Sequence, residues 1–291
     1  MDITFLIQLL LNGVVVGLFY GLVAIGLSLI FGVLEIVNFA HGDFYMLGAM
    51  LAFFSGMYLQ FDYFISIAVV IIVSVFIGYL LYQILIVKLK NRSFEQSILL
   101  TIGVSMVIQN GSLYLWTATP KMLSNLYSYK VLEFANLTLP MLRAIASIVT
   151  IITFSVIFWI FYFTRLGKAM RGISQNRDAA LMVGIDPVRI GLYAVIIGVT
   201  LSGLAGAVLA PIYTVHPTMG FAFIFKAFAI IIIGGLGNIS GTVFAALVLG
   251  IVESFVGGIF QLALVDAIAF IFMSIVLLVK PEGIWGRGVR V

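Results

Sequence analysis

Cysteine is absent from all 291 residues. That excludes a disulfide framework, thiol chemistry and a cysteine-ligated metal, and it leaves the redox compartment undetermined. Charge is nearly as scarce: Asp, Glu, Lys and Arg together make up 9% of the chain, against about 25% in soluble domains. Histidine occurs twice, as His41 and His216, and neither belongs to a ligand-spaced cluster, so no metal site or hydrolytic constellation is expected. The glycine-rich stretch 234–242 superficially resembles a phosphate loop. It lacks the lysine that must follow the last glycine to reach a phosphate, so no nucleotide site and no cofactor are expected.

What fills the chain instead is apolar. Hydrophobic residues make up 63% and the mean hydropathy is +1.26, whereas soluble domains are roughly 45–50% apolar. About 20 helical residues cross a hydrocarbon core of roughly 30 Å. Nine apolar runs can be placed, at 5–33, 43–60, 63–87, 97–116, 141–164, 190–213, 221–236, 241–258 and 260–279. The fold class is therefore all-α, a polytopic integral membrane protein of about nine transmembrane helices in a single domain over 1–291. The runs 221–236 and 241–258 are separated only by a short glycine-rich turn; if they form a re-entrant pair, the count falls to eight. Met1-Asp2-Ile3-Thr4 lacks the basic stretch of a signal peptide, and the first run is too long for one, so it reads as a retained helix that tilts or breaks.

Eleven of the fifteen basic residues lie in three loops, 88–92, 165–189 and 280–290. Clustering in short loops is a topology signal, so the net charge of +4 points to no nucleic-acid partner. The positive-inside bias assigns all three loops to the cytoplasm. The N-terminus and the 117–140 loop then lie outside, despite Lys121 and Lys130, and the C-terminus lies inside. The 165–189 insert is the most informative segment, because a polar, helix-forming stretch between two long apolar runs must leave the hydrocarbon. A passive pore has no need for it, whereas a membrane protein driven by a cytoplasmic motor needs a docking surface. Asn176 can cap a short helix from Arg177 to Met182 or Val183, Gly184 can end it, and Pro187 prevents its continuation. Ala179, Ala180, Leu181 and Met182 would make the contact, with Arg177 and Asp178 at the rim. The plainer alternative is an interfacial helix.

Four crossings, a connector and four more crossings give halves of inverted orientation. Gly17, Gly21 and Gly26 precede Asn38-Phe39-Ala40-His41, as Gly198, Gly203 and Gly206 precede Thr214-Val215-His216-Pro217. Inverted repeats place a solute path at their interface, which makes Asn38, His41, Thr214 and His216 candidates to line or flank it. The break at Asn38 reads equally as an interfacial turn, with Asp43 complementing the next helix dipole. Glu253 is a carboxylate inside an apolar run and joins the pathway candidates; Asp266 fits a helix end near the outer surface. Gly13, Gly17 and Gly21 lie on one helix face, for packing within the chain first and against a partner subunit second.

Six segments in order carry a likeness: Asn38-Phe39-Ala40-His41-Gly42-Asp43, Gly167-Lys168-Ala169-Met170-Arg171, Ala179-Ala180-Leu181-Met182-Val183-Gly184-Ile185, Lys226-Ala227-Phe228, Gly234-Gly235-Leu236-Gly237-Asn238-Ile239 and Pro281-Glu282-Gly283-Ile284. Together they resemble the LivH-type permease subunits of the branched-chain amino-acid ABC importer family over nearly the whole chain. Asp43 stands where the family often has Glu. The resemblance implies an inverted-repeat permease of a prokaryotic plasma (inner) membrane. Its partners would be a second homologous (LivM-like) permease subunit, two cytoplasmic ABC ATPases and a periplasmic or extracellular solute-binding protein. It matches 171–184, from Arg171 to Gly184, to the ATPase-coupling loop, leaves ATP hydrolysis to the partners, and makes the chain a transport subunit and not an enzyme. Leucine, isoleucine and valine are the first solutes implied, then urea, amides and other small polar solutes. An ion-coupled carrier using Glu253 or Asp266, or a channel, is the reading from another class.

Overall fold

A computed structural model describes residues 2–89, 94–123, 127–134, 136–261 and 263–286. The basic positions 90, 92, 287 and 290 and the side chain of Asp266 lie outside the described residues. Eleven α-helices follow in chain order: α1 (Ile3–Leu34), α2 (His41–Tyr58), α3 (Tyr63–Ile84), α4 (Phe94–Trp116), α5 (Met141–Phe163), α6 (Arg165–Gln175), α7 (Arg177–Met182), α8 (Pro187–Leu209), α9 (Gly220–Gly234), α10 (Ile239–Ile259) and α11 (Ala263–Val279). Side chains punctuate them where the chain must restart. Asp62, Thr164, Asn176, Asp186 and Asn238 each accept a backbone N–H in the first turn of α3, α6, α7, α8 and α10.

The fold is all-helical as expected, and the loop between α4 and α5 adds a small antiparallel hairpin of β1 (Val131–Phe134) and β2 (Leu137–Pro140). This loop lies beyond the apolar helices, and Asn136 takes the left-handed turn conformation at φ 64, which asparagine tolerates. Each of the nine apolar runs carries a helix, but six helices (α1, α3, α4, α5, α8 and α10) are long and apolar enough to cross a membrane. α9 has 15 residues, about 22 Å at the helical rise and short of a full crossing. α11's apolar stretch is also short, and α2 opens on the polar His41-Gly42-Asp43. α1 does not break: its 32 residues run as one helix.

Glycine sets the packing, because in lipid helices associate by close backbone approach and not by a hydrophobic drive. α1 lies along α10 and α8 along α3. A Cβ on Gly13 would stand 2.6 Å from the Ile251 Cα, and one on Gly17 would stand 2.7 Å from the Leu247 Cα. Gly78 meets the Ile196 Cα at 2.9 Å in the same sense. α2 rests on α8, and α9 rests on α1. α1 crosses α8 where a Cβ on Gly26 or Gly198 would stand 2.7 or 2.8 Å from the other's carbonyl oxygen.

The bundle has two distinct ends. At one, Tyr82 Oη donates to the Val188 carbonyl at 2.5 Å, Gly32 packs on Gly237, and Asn238 Nδ2 donates to the Trp285 carbonyl at 2.8 Å. These contacts bring Lys88, the 165–189 segment and Lys280 to the same end. At the other, Gln8 exchanges two hydrogen bonds with the backbone of Thr138, both 2.9 Å. There Lys121 and Val215 pair as an isolated antiparallel bridge.

Candidate functional site

The chain interior is built around two interrupted helices. α2 and α9 begin inside the molecule, and their first turns meet where Gly42 and Gly220 lie against each other's carbonyls with no room for a side chain. Irregular backbone at such depth is tolerated only where its polar groups are satisfied. The 35–40 break meets that demand: Thr101 on α4 accepts from Phe39 N at 3.3 Å and donates to the Val37 carbonyl at 3.1 Å, and Asn38 Oδ1 accepts from Ala40 N at 3.1 Å. His41 Nε2 lies 3.0 Å from the Val23 carbonyl, and Gln109 Nε2 donates to Asp43 Oδ1 at 2.9 Å.

Asn38 and His41 are therefore buried in the core. Asn38 is held within its own turn, and His41 against a carbonyl of α1. The second break, 210–219, is arranged differently. Thr214 is exposed, and the ring of His216 faces Thr218 Oγ1 at 3.1 Å beside the Lys121–Val215 bridge. The two histidines do not come together.

Glu253 is only 3% exposed and has partners on two other helices. Its Oε2 accepts from Tyr20 Oη on α1 at 2.7 Å and from Lys226 Nζ on α9 at 3.0 Å. Lys226 also donates to the Tyr20 hydroxyl at 2.8 Å, closing a triangle. The ring of Phe223, one turn before Lys226, contacts Tyr20, Tyr45 and Tyr213 at centroid distances of 6.1, 4.3 and 5.6 Å. Sequence reasoning took Lys226 only as part of a motif. Its signal was plain: a lone cation in an apolar run requires a partner, and Glu253 was the unassigned embedded carboxylate.

At the basic end, α6 and α7 form an arm below α5. Thr164 Oγ1 accepts from Gly167 N at 3.2 Å, and Gly167 packs directly on the last carbonyls of α5. Arg171 turns back along α6, donates to the Phe161 carbonyl and stacks over Phe161 and Tyr162 at 5.3 and 5.2 Å. It thus ties α6 to α5. Asn176 Oδ1 accepts from Ala179 N at 2.9 Å and starts α7. Gly184 follows the helix at φ 82, in the left-handed region that favours glycine.

Of the residues expected to make the contact, Ala180 is 4% exposed and packs against the chain itself, its carbonyl accepting from Ile185 N at 3.0 Å. Met182 is 89% exposed, and Leu181 and Val183 stand out beside it. Arg177, Asp178 and Ala179 are also exposed. Gly13 and Gly17 pack on α10, while Gly21 faces Phe154 of α5. Among the described residues, no group of three His, Cys, Asp or Glu could hold a metal.

The family described as "Branched-chain amino acid transport system / permease component" matches residues 9–278. The high-affinity branched-chain amino acid transport system permease protein BraD of Pseudomonas aeruginosa is 29% identical, over 97% of this chain and 96% of its own length. The corresponding protein LivH of Escherichia coli is 27% identical with the same coverage of both chains. Among solved structures, PsaBC from Streptococcus pneumoniae in complex with Fab is 16% identical with a TM-score of 0.48, covering 94% of this chain and 92% of its own.

Proposed function

The chain belongs to the family of permease components of branched-chain amino acid transport systems, and we propose from that premise that it is the membrane-spanning subunit of an ATP-binding cassette importer. It is a transport component of a multi-pass membrane protein system, and ATP chemistry belongs to its partners. A bacterial inner-membrane setting accords with the relatives from Pseudomonas aeruginosa and Escherichia coli. The partners are two cytoplasmic ATPases, a second homologous permease subunit and an external binding protein. The solute is leucine, isoleucine or valine.

The observation that carries this reading is the arm at the basic end. The six-residue helix is seated on the chain through Ala180, but its apolar tip at Leu181, Met182 and Val183 is exposed. It lies outside the apolar spans, where a soluble motor could grip it. The arm is joined to α5 through Arg171 and seated on the bundle through Ala180, so a push on its tip is passed to the helices. The single permease domain of 1–291 thus contains 165–189 as its coupling loop, facing the cytoplasm by the positive-inside bias.

The pairing of helices supports an inverted repeat. Exchanging α1 with α8, α2 with α9 and α3 with α10 turns the α1–α10 contact into α8–α3, and the α2–α8 contact into α9–α1. The two pairs that map onto themselves, α1–α8 and α2–α9, meet at Gly26–Gly198 and Gly42–Gly220. A solute path at this interface enters by the Thr214–His216 segment and runs past Glu253, flanked by Asn38 and His41.

Vesicles reconstituted with both permeases and both ATPases test the proposal. ATP-dependent leucine uptake requiring the binding protein is expected, and Met182→Asp should cut ATPase co-purification at least about tenfold while leaving membrane insertion intact. Uptake driven by an ion gradient with no ATPase present would sink the importer reading.

A further inference from the structure

The Tyr20–Lys226–Glu253 triangle sits where α9 meets α1 and α10, and packing alone does not call for it. Apolar residues of similar volume would fill the same space without the cost of desolvating two charges. Buried ionisable groups in membrane helices are expensive and mark function by default. The pair also spans the boundary between α9 and α10. α9 is short, begins inside the molecule against Gly42, and ends at Gly235 with φ 92. Lys226 is 14% exposed and Glu253 only 3%, so access comes from the lysine side. Tyr45, whose ring lies 4.3 Å from that of Phe223, is fully buried, and its hydroxyl has no partner among the described residues.

We infer that the Lys226–Glu253 pair is a transient binding site for a zwitterionic α-amino acid, which replaces the internal ion pair with two of its own. The solute carboxylate takes over Lys226, with the Tyr45 hydroxyl as a spare donor. The solute ammonium takes over Glu253, and an aliphatic side chain lies against Phe223. This rests on the amino-acid reading above. Charge balance is what favours the assignment. Empty, the two groups neutralise each other and offer no net charge to attract an inorganic ion. Occupied by a zwitterion, both remain matched, whereas a solute lacking either charge leaves one buried group uncompensated. Occupancy requires α9 to lift from α1 and α10, which ties binding to the transport cycle.

Saturation-transfer NMR on the complete transporter in nanodiscs, without the external binding protein, reads weak contact directly. The probes are leucine, leucinamide (no carboxylate) and 4-methylpentanoate (no amine). Leucine is expected to receive saturation from the wild-type complex, and the two analogues at least about fivefold less. The neutral double variant Lys226→Met/Glu253→Gln should still co-purify with its partners but lose the leucine signal at least tenfold. Lys226→Met alone should shift preference toward cationic leucinamide, and Glu253→Gln alone toward 4-methylpentanoate. These ratios are taken within one sample and do not depend on how much protein folds. Full saturation transfer to leucine from the neutral double variant would overturn the site and make the pair a structural lock. Leucine uptake by the wild type with no saturation transfer from its permease to leucine would overturn it too. If vesicles import another zwitterion but not leucine, the solute assignment above fails; the site stands if that zwitterion's transfer is lost in the double variant.

Discussion

At the scale of single residues, glycines divide into those that hold backbones together and those that merely interrupt a helix. A Cβ on Gly17 would stand 2.7 Å from the Leu247 Cα, whereas one on Gly103 would meet nothing within 4 Å. Gly17→Leu is expected to push α1 off α10 and abolish a cooperative melting transition in detergent. Gly103→Ala should be neutral or raise stability by up to about 1 kcal/mol, because alanine loses less backbone entropy on entering a helix. Equal effects from the two would mean that the α1–α10 contact does not carry the fold. The same scale marks what the sequence left hidden. Gly13, Gly17 and Gly21 were legible as a small face, but the neighbour each would meet was not. Tyr20 and Glu253 are separated by 233 positions, and no local pattern joins residues so far apart.

At the scale of elements, the coupling arm shows why some predictions are easy. Cap, helix, left-handed glycine and proline stop all lie between Asn176 and Pro187, so local chemistry dictates α7 (Arg177–Met182) without help from the rest of the chain. Its facing was harder. Six residues are too few for periodicity to tell the seated side from the bare side, and Ala180 proved to be seated. Asn176→Ala removes the cap at a cost of about 1 kcal/mol. Backbone hydrogen exchange over 177–183 should then quicken about fivefold, and unchanged exchange would show that Ala180 alone anchors the helix. Arg171→Ala should leave α7 folded but loosen α6 from the end of α5. ATP hydrolysis is then expected to continue while leucine uptake falls severalfold. Coupled transport at the wild-type rate would place the mechanical link elsewhere.

At the scale of the whole molecule, sidedness can be checked with little interference, because the chain has no native cysteine. Met182→Cys should react with a membrane-impermeant thiol reagent only from the cytoplasmic side, and Thr214→Cys only from outside. The reverse pattern would invert the proposed orientation. Lys121 and Val215 exchange backbone hydrogen bonds of 2.9 and 2.8 Å, a spacing that suits a disulfide. Lys121→Cys/Val215→Cys should cross-link on oxidation. If the 210–219 segment moves during transport, uptake will stop until a reductant is added; unimpaired uptake in the oxidised state would make that end a fixed frame. Helix number and the grouping of basic loops were legible because hydropathy and charge are summed over many residues. The β hairpin was not, because four-residue strands carry little periodicity. The shortness of the run 221–236 was legible, but nothing in it tells how deep in the bundle α9 begins.

The meeting of Gly42 and Gly220 has a historical consequence. Suppose the two halves descend from one shorter chain that entered the membrane in both directions and paired with itself. The crossing point would then have been a single residue confronting its own mirror-role copy. Any side chain there would have been doubled, so every enlargement would have counted twice against assembly. Once fused into one chain, the two positions became free to differ, yet both are still glycine. A bulkier residue on one side could be accommodated only by something smaller opposite, and nothing is smaller.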